Sequence, residues 1–282
     1  PWLGRILGGC VLLLLMLTAY LGTRLLIAIP FLGGLIALYL AWAGLAMGSL
    51  LETGAYVLTQ IEDAPLPKAR CALSMLVSRE TRYMDRKLMR KTLADTMTEN
   101  FTDALTAPFF WLAFFGPAGL WIYKAVSTTD SMWGYLTPKW RYLGFCGARG
   151  DDILAFLPAR LSILLVFLTD KILKNFFPHL RTWQGELPSL RTLHTQAWGM
   201  PSPNSGCSMA VFAWLLNAQM AGPSVYFGER VEKPWLGPSE HAQSWNKKLL
   251  QTLFSCIRLA SIFGMGLFFL GTELMAILLS SI

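Results

Sequence analysis

The chain has 282 residues, of which 54% are hydrophobic and only 15% charged, with a formal net charge of +7. That balance excludes an ordinary soluble domain and indicates a membrane protein. The basic residues are scattered through loops beside apolar segments and form no stripe or RNA-binding motif, so the charge points to membrane orientation and anionic substrates, with no nucleic acid as partner.

Pro1 is followed almost at once by apolar sequence, without the positive region and small-residue cleavage site of a signal peptide, and the natural start is expected to lie upstream. Residues 6–22 and 25–47 are each near the ~20 residues needed to cross hydrocarbon. With Gly22, Thr23 and Arg24 as a tight turn, residues 1–48 are expected to form an antiparallel transmembrane hairpin. Gly33, Gly34, Gly44 and Gly48 permit close helix approach.

From Ser49 to Thr98 the pattern turns amphipathic. Met89, Leu93 and Met97 repeat at helical spacing while Arg86, Lys87, Arg90, Lys91 and Asp95 occupy other faces, which predicts a surface or interfacial helix. Its many Lys and Arg residues put this stretch on the cytoplasmic side. Residues 104–126 are apolar enough to span but are interrupted by Gly116-Pro-Ala-Gly119, so two half-helices and a single crossing both fit. Residues 153–168, with Pro158 and Arg160, also read as broken. If both segments are re-entrant, every charged cluster shares the cytoplasmic face, and this topology is the expected one. A second basic region follows Asp170; it holds the turn Pro201-Ser-Pro-Asn-Ser-Gly206, a helix-like stretch, and a Gly/Pro-rich run from Gly222 to Gly237. An apolar helix over 251–282, with Glu273 as its one interior acid, closes the chain. The expected architecture is therefore an all-α integral membrane protein: a single polytopic domain over 1–282 built as a multi-pass helical bundle, with broken or re-entrant helices and amphipathic cytoplasmic-side helices in the motif-bearing region 49–250.

Five widely spaced cysteines without a CxxC pair, and three isolated histidines, suggest neither a zinc site nor a disulfide framework. The phosphate loop, the dinucleotide fingerprint and the HExxH and GxSxG motifs are absent too. What remains is a set of acids and bases in interrupted segments. Glu99, Asn100 and Asp103 fall at i, i+1 and i+4, while Arg149, Asp152, Phe156 and Arg160 fall at i, i+3, i+7 and i+11. Such acids could hold Mg²⁺ and such arginines could clamp phosphate, although a structural network of ion pairs would look the same.

Several motifs stand in one order: SRET (78–81), TENFTDALTAPFFW (98–111), GPAGLWIYKAVSTTDSMWGY (116–135), RYLGFCGARGDDILAFLPARL (141–161), PSPNSG (201–206), and GPSVYFGE with PWLG (222–237). Together they resemble the CobD/CbiB family, adenosylcobinamide-phosphate synthase of cobalamin biosynthesis, over about residues 50 to 240. The resemblance implies a multi-pass enzyme of the bacterial inner membrane with its active face in the cytoplasm. It would use ATP and Mg²⁺ to join an aminopropanol or ethanolamine phosphate to adenosylcobyric acid, a corrinoid. Partners implied are these substrates, the lipid bilayer, and a second copy or other cobalamin-pathway membrane enzymes. Carried onto this chain, the resemblance assigns Glu99, Asp103 and Glu229 to catalysis; Lys124, Asp130, Arg149 and Arg160 to nucleotide phosphates; and Asp130, Asp151 and Asp152 to Mg²⁺. Arg79, Asn100, Ser131, Ser202, Asn204 and Tyr226 would contact substrate, with Trp133, Tyr135 and Tyr226 stacking on the corrin ring. The chain departs from the family's usual residues at Ser127 (Asn), Gly150 (Leu), Ala155 (Asn) and Met200-Pro201 (a His before Ser-Pro-Asn), and it lacks an upstream His-Pro element. These departures keep open a non-catalytic sensor or accessory paralogue, or a corrinoid transporter, on the same scaffold.

Overall fold

The computed structural model describes residues 2–134, 140–226 and 228–280. It is mostly helical, with four helical runs long and apolar enough to cross a membrane, or five when the bent pair Phe145–Leu154 and Phe156–Phe176 counts as one. The chain divides into two compact units.

The first unit comprises Pro1–Ala46, Asp103–Pro158 and Met265–Ile282. Helix α1 (Trp2–Ile27) and helix α2 (Gly33–Gly44) form the expected hairpin, but the reversal is not at Gly22. The helix runs through Gly22-Thr23-Arg24 and turns at 28–32, around Pro30, with Phe31 at φ 65°. Proline lacks the N–H that would continue the ladder, whereas a single glycine only weakens a helix. Leu13, Leu14, Leu17, Leu35, Leu38 and Trp42 are exposed, as a lipid-facing surface requires. Both helices pack against α6 (Ala107–Trp133), and α1 also packs against α7 (Phe145–Leu154). Of the four glycines expected at close contacts, Gly44 lies against Leu120 and Gly33 against the Ile27 carbonyl, while Gly34 and Gly48 meet nothing within 4 Å.

Gly8 is more constrained: a Cβ there would sit 2.0 Å from the Leu143 carbonyl oxygen. That oxygen is main chain and cannot rotate aside, so Gly8→Ala should destabilise the protein by about 1–3 kcal/mol. Gly22, on the same helix with nothing within 4 Å, should accept alanine without loss. Thermal unfolding of the two variants in detergent gives the comparison; equal transitions would refute this packing.

Helix α6 is interrupted where the GPAG motif stands. Gly116 adopts φ 65°, ψ −168°, a conformation open to glycine alone, so of the two arrangements that the sequence left open the run holds two helical segments meeting at a kink. Tyr123, Ala107 and Ala155 form a buried core here, and the Trp111 indole donates to the Leu154 carbonyl at 3.2 Å.

The second unit comprises Met47–Thr102 and Ala159–Gly264. Helix α3 (Met47–Asp63) packs on α4 (Leu66–Ser74) and α5 (Arg86–Phe101), and α5 on α10 (Ser205–Leu215), which lies against α9 (Leu190–Trp198). Asp85 caps α5 by accepting the Leu88 N–H at 2.7 Å. The apolar stripe Met89, Leu93 and Met97 is fully buried, as is Phe101, which meets Phe212 edge-on at 5.2 Å. The first turn of α5 is at the surface, with Lys87 and Leu88 exposed, but contrary to the sequence-based expectation the rest of the helix is not. Thr92 through Thr98 are all buried, Asp95 included, because the charges on its other faces find partners within the unit.

Helix α8 (Phe156–Phe176) begins after a break at Ala155, not at Pro158. Pro158 sits in its first turn, where a missing N–H leaves no bond unmade. The Gly/Pro-rich run folds into four short strands that an all-α reading did not include. β1 (Met220–Ala221) pairs with β4 (Trp235–Leu236), and β2 (Ser224–Tyr226) with β3 (Glu229–Val231), both antiparallel. Gly228 (φ 83°) and Gly237 (φ 98°) supply the left-handed backbone that the turns need. The final helix α11 covers Lys247–Ser280.

Candidate active site

Each unit carries its own cluster of the expected site residues. In the first, a π-helical turn, Thr102–Thr106, presents Asp103, whose Oδ1 accepts the Tyr123 hydroxyl at 3.0 Å. Such turns recur at functional sites. One turn of α7 beyond Gly147, where a Cβ would come within 2.9 Å of Thr129 on α6, stands Asp151. This close crossing brings Asp151 within electrostatic range of Asp103, Asp130 and Asp152, with the Ser127 hydroxyl beside it. Asp151 Oδ1 is buried and has no hydrogen-bond partner. Lys124 lies within electrostatic range of Asp103. Arg149 and Asp152 pair at 3.5 Å on α7, but the helix breaks at Ala155, so the face expected to run on to Phe156 and Arg160 does not continue. Ser131 donates to the Ser127 carbonyl at 2.9 Å on the exposed side of α6. Tyr135 lies outside the described residues.

Among the described residues, no three His, Cys, Asp or Glu side chains are placed to hold a metal ion by themselves. Mg²⁺ does not require such a cage, since it usually takes one or two carboxylates plus waters and phosphate oxygens. The unpartnered Asp151 oxygen amid further carboxylates suits a Mg²⁺–phosphate complex more than a bare ion.

The second unit holds an ionic network built around an acid that the sequence reading placed on a surface. Asp95, fully buried on α5, accepts from Arg79 at 2.6 Å, from Lys91 at 2.9 Å and from the Ala221 N–H at 3.0 Å. Lys91 also donates to the Ala221 carbonyl. Arg79, in the SRET element, donates its Nε to the Tyr226 hydroxyl at 3.0 Å, and Lys233 donates to the same oxygen at 2.7 Å. Burial works against the Arg79 charge, but the Asp95 carboxylate outweighs it and holds the guanidinium more firmly protonated than usual. Glu99 lies within electrostatic range of Arg79 and Lys233. Asn100 donates back to the Thr96 carbonyl at 2.9 Å. Glu229 stands opposite Tyr226 in the β2–β3 pair and is exposed; the neighbouring Arg230 bonds Glu232 at 2.6 Å instead.

Arg160 serves the Pro201–Gly206 turn. Its guanidinium donates to Asn204 Oδ1 at 2.7 Å and to the Pro203 carbonyl at 3.0 Å, while Ser202 Oγ accepts the Asn204 N–H at 3.3 Å. Asn204 therefore occupies the cap position of α10 without capping it by its side chain. Lys91, Asp95 and Lys233 are the network members that motif matching overlooked. The available signal was an acid at i+4 from a lysine in a threonine-rich helical stretch, Thr92 to Thr98, too polar to be an apolar core face and too regular to be a loop.

A family model described as CobD/Cbib protein matches residues 2–254. The chain belongs to the CobD/CbiB family. It is 37% identical over 210 residues to the cobalamin biosynthesis protein CobD of Photorhabdus laumondii, covering 74% of this chain and 62% of that one. To the cobalamin biosynthesis protein CbiB of Salmonella arizonae it is 35% identical over 211 residues, 75% and 63% of the two chains. The CobD of Streptococcus sanguinis is 35% identical over 242 residues, 86% and 73%. The chain thus spans less than two thirds of the first two relatives. No solved structure matches it. At Gly150, where the resemblance expects leucine, a Cβ would lie 3.1 Å from the Val126 side chain and 3.5 Å from that of Leu12, so a larger residue would require both to shift. Ala155 is buried against Tyr123, where an asparagine would need a hydrogen-bond partner.

Proposed function

We propose that this chain is an adenosylcobinamide-phosphate synthase, a membrane ligase of cobalamin biosynthesis that forms a C–N amide bond. It would join (R)-1-aminopropan-2-ol phosphate or ethanolamine phosphate to the carboxylate of adenosylcobyric acid at the expense of ATP. The observation that carries this reading is membership of the CobD/CbiB family across residues 2–254. A carboxylate does not react with an amine directly, so it must first be activated, here by phosphoryl transfer from ATP to give an acyl phosphate. The amine then attacks its carbonyl, the C–N bond forms, and inorganic phosphate leaves. Such chemistry rests on positioning and on neutralising charge.

In this reading Asp151, with Asp130 or Asp152, would hold Mg²⁺ through carboxylate oxygens, and the ion supplies charge neutralisation at the nucleotide phosphates. Lys124 and Arg149 reinforce it, while Asp103 is kept in place by Tyr123. In the second unit Arg79 offers a cation fixed by Asp95 and Tyr226. Glu99 receives the proton that the ammonium must lose before attack, with Glu229 as the other acid of that unit. Arg160 shapes the turn that presents Asn204 and Ser202 to corrin amides.

The test is direct. Purified protein with ATP, Mg²⁺, adenosylcobyric acid and the aminoalcohol phosphate should yield the amide, as detected by mass spectrometry. Corrinoid binding with neither amide nor ATP turnover would favour the non-catalytic paralogue.

The active face is assigned to the cytoplasm of a bacterial inner membrane, from the basic residues around α4 and α5. Cys71 on α4 is exposed. With the other thiols replaced, it should react with an impermeant maleimide in inside-out vesicles and not in right-side-out ones; the reverse pattern would invert the topology.

A further inference from the structure

The first turns of α5, the β1–β4 pair and the segment before α11 border an open cavity of about 360 Å³, within the usual range for a small-molecule site. Asp85, Lys87, Lys91, Gln219, Trp235 and Trp245 line it. None of these carries a role in the motif matches. Lys87 and Lys91 are one helical turn apart and so share a face of α5. Lys91 Nζ lies 5.1 Å from the centroid of the Trp235 ring, and its bonds to Asp95 and the Ala221 carbonyl use two of its three donors. Trp245 is only 5% exposed, its indole N–H fixed on the Gln219 carbonyl at 2.8 Å.

Charge decides what such a cavity takes. Asp95 is shared between Arg79 and Lys91, so these three groups together carry one net positive charge, and exposed Lys87 adds a second. Among the described residues Asp85 is the one acid lining the space; its Oδ1 accepts the Leu88 N–H, which leaves Oδ2 for a ligand. The site therefore carries two lysines and a single acid, set between the half-exposed Trp235 and the buried Trp245. An inorganic anion would match only the basic part.

We propose that this cavity binds a small phosphate ester that also carries an ammonium group, with the phosphate at Lys87 and Lys91 and the ammonium at Asp85. The proposal rests on the synthase reading and deepens it, assigning the phosphorylated amine to α5 and the β1–β4 pair. A phosphomonoester near neutral pH is close to a dianion, so with its ammonium the ligand carries about one net negative charge, complementary to the wall. Lys91 would link the bound phosphate to the Asp95–Arg79–Tyr226 network. The same chemistry exists in a phosphatidylethanolamine headgroup, which a membrane protein also meets.

Titration calorimetry on the full chain in detergent, with O-phosphoethanolamine as probe, tests the site. Binding is expected, with ethanolamine and inorganic phosphate each weaker. Lys87→Gln should weaken it about tenfold or more, the loss of one charge-assisted bond, and Lys87→Arg should restore part. Asp85→Asn, which keeps a capping side chain, should weaken O-phosphoethanolamine but not inorganic phosphate. Wild-type affinity in both Lys87→Gln and Asp85→Asn would overturn the assignment. Repeating the titration in phosphatidylglycerol nanodiscs with and without phosphatidylethanolamine separates the sources: unchanged binding supports the free phosphomonoester, and loss of binding gives the site to the lipid headgroup and overturns the co-substrate role. In the amide-forming assay, Lys87→Gln should raise KM for the phosphorylated amine with kcat little changed. An unchanged KM in an active enzyme sinks this inference alone, whereas Lys87-dependent binding without amide from the wild type sinks the synthase reading and leaves the site standing.

Discussion

Asp95→Asn should cost the protein about 3–5 kcal/mol of stability, the usual penalty for removing one member of a buried ionic group. The carboxylate is fully buried and takes hydrogen bonds from Arg79, Lys91 and the Ala221 N–H. An amide there can still accept from the main chain, but it offers no charge to two largely buried cations and turns an N–H towards one of them. The loss is therefore mainly the desolvation of Arg79 and Lys91, no longer repaid. A surface pair gives the contrast. Hydrogen bonding to Lys174 pulls the Glu186 carboxyl below its usual range, yet the pair lies in solvent, and Glu186→Gln should leave the unfolding transition where it is. Denaturation followed by circular dichroism in detergent reads both; a transition for Asp95→Asn equal to wild type would show that the network is not holding the second unit together.

Asp151→Asn should behave in the opposite way, with turnover falling about 10²–10³-fold, as when a preorganised electrostatic group is removed from a transition state, and no loss of fold. Its Oδ1 makes no hydrogen bond that the substitution would break. An amide can keep a hydrogen bond with the neighbouring Ser127 hydroxyl, and it adds no charge to a cluster that includes Asp103, Asp130 and Asp152, so the melting temperature should hold. Activity lost with stability kept marks a group placed for a ligand and not for the fold. If Asp151→Asn melts at a lower temperature, or turns over at the wild-type rate, the Mg²⁺ proposal for this cluster is wrong.

The contrast between these two aspartates also marks the limits of reading the chain without its structure. Asp151 lies in a motif that matches the family and beside another acid, so it was legible. Asp95 was not, because an acid on an amphipathic pattern reads as solvent-facing, and its burial depends on Arg79 sixteen residues earlier and on the Ala221 N–H far downstream. The helical hairpin and the break at Gly116 followed from hydropathy and from the conformational freedom of glycine. The turn was misplaced because Gly22-Thr23-Arg24 drew more weight than Pro30, although only proline removes a donor. The short strands escaped notice since two or three residues carry no period. The cavity at Lys87 and Trp245 joins residues about 160 positions apart, a juxtaposition that no local pattern encodes.

In the proposed synthase reaction the chain activates a carboxylate with ATP and passes it to an amine. Adenosylcobyric acid carrying ¹⁸O in its free carboxylate, turned over with ATP, Mg²⁺ and aminopropanol phosphate, tests it most directly. One ¹⁸O is expected in each inorganic phosphate released, with one phosphate for each amide formed and the remaining label in the amide carbonyl. Unlabelled phosphate, label in AMP, or ATP consumed without any amide would contradict it.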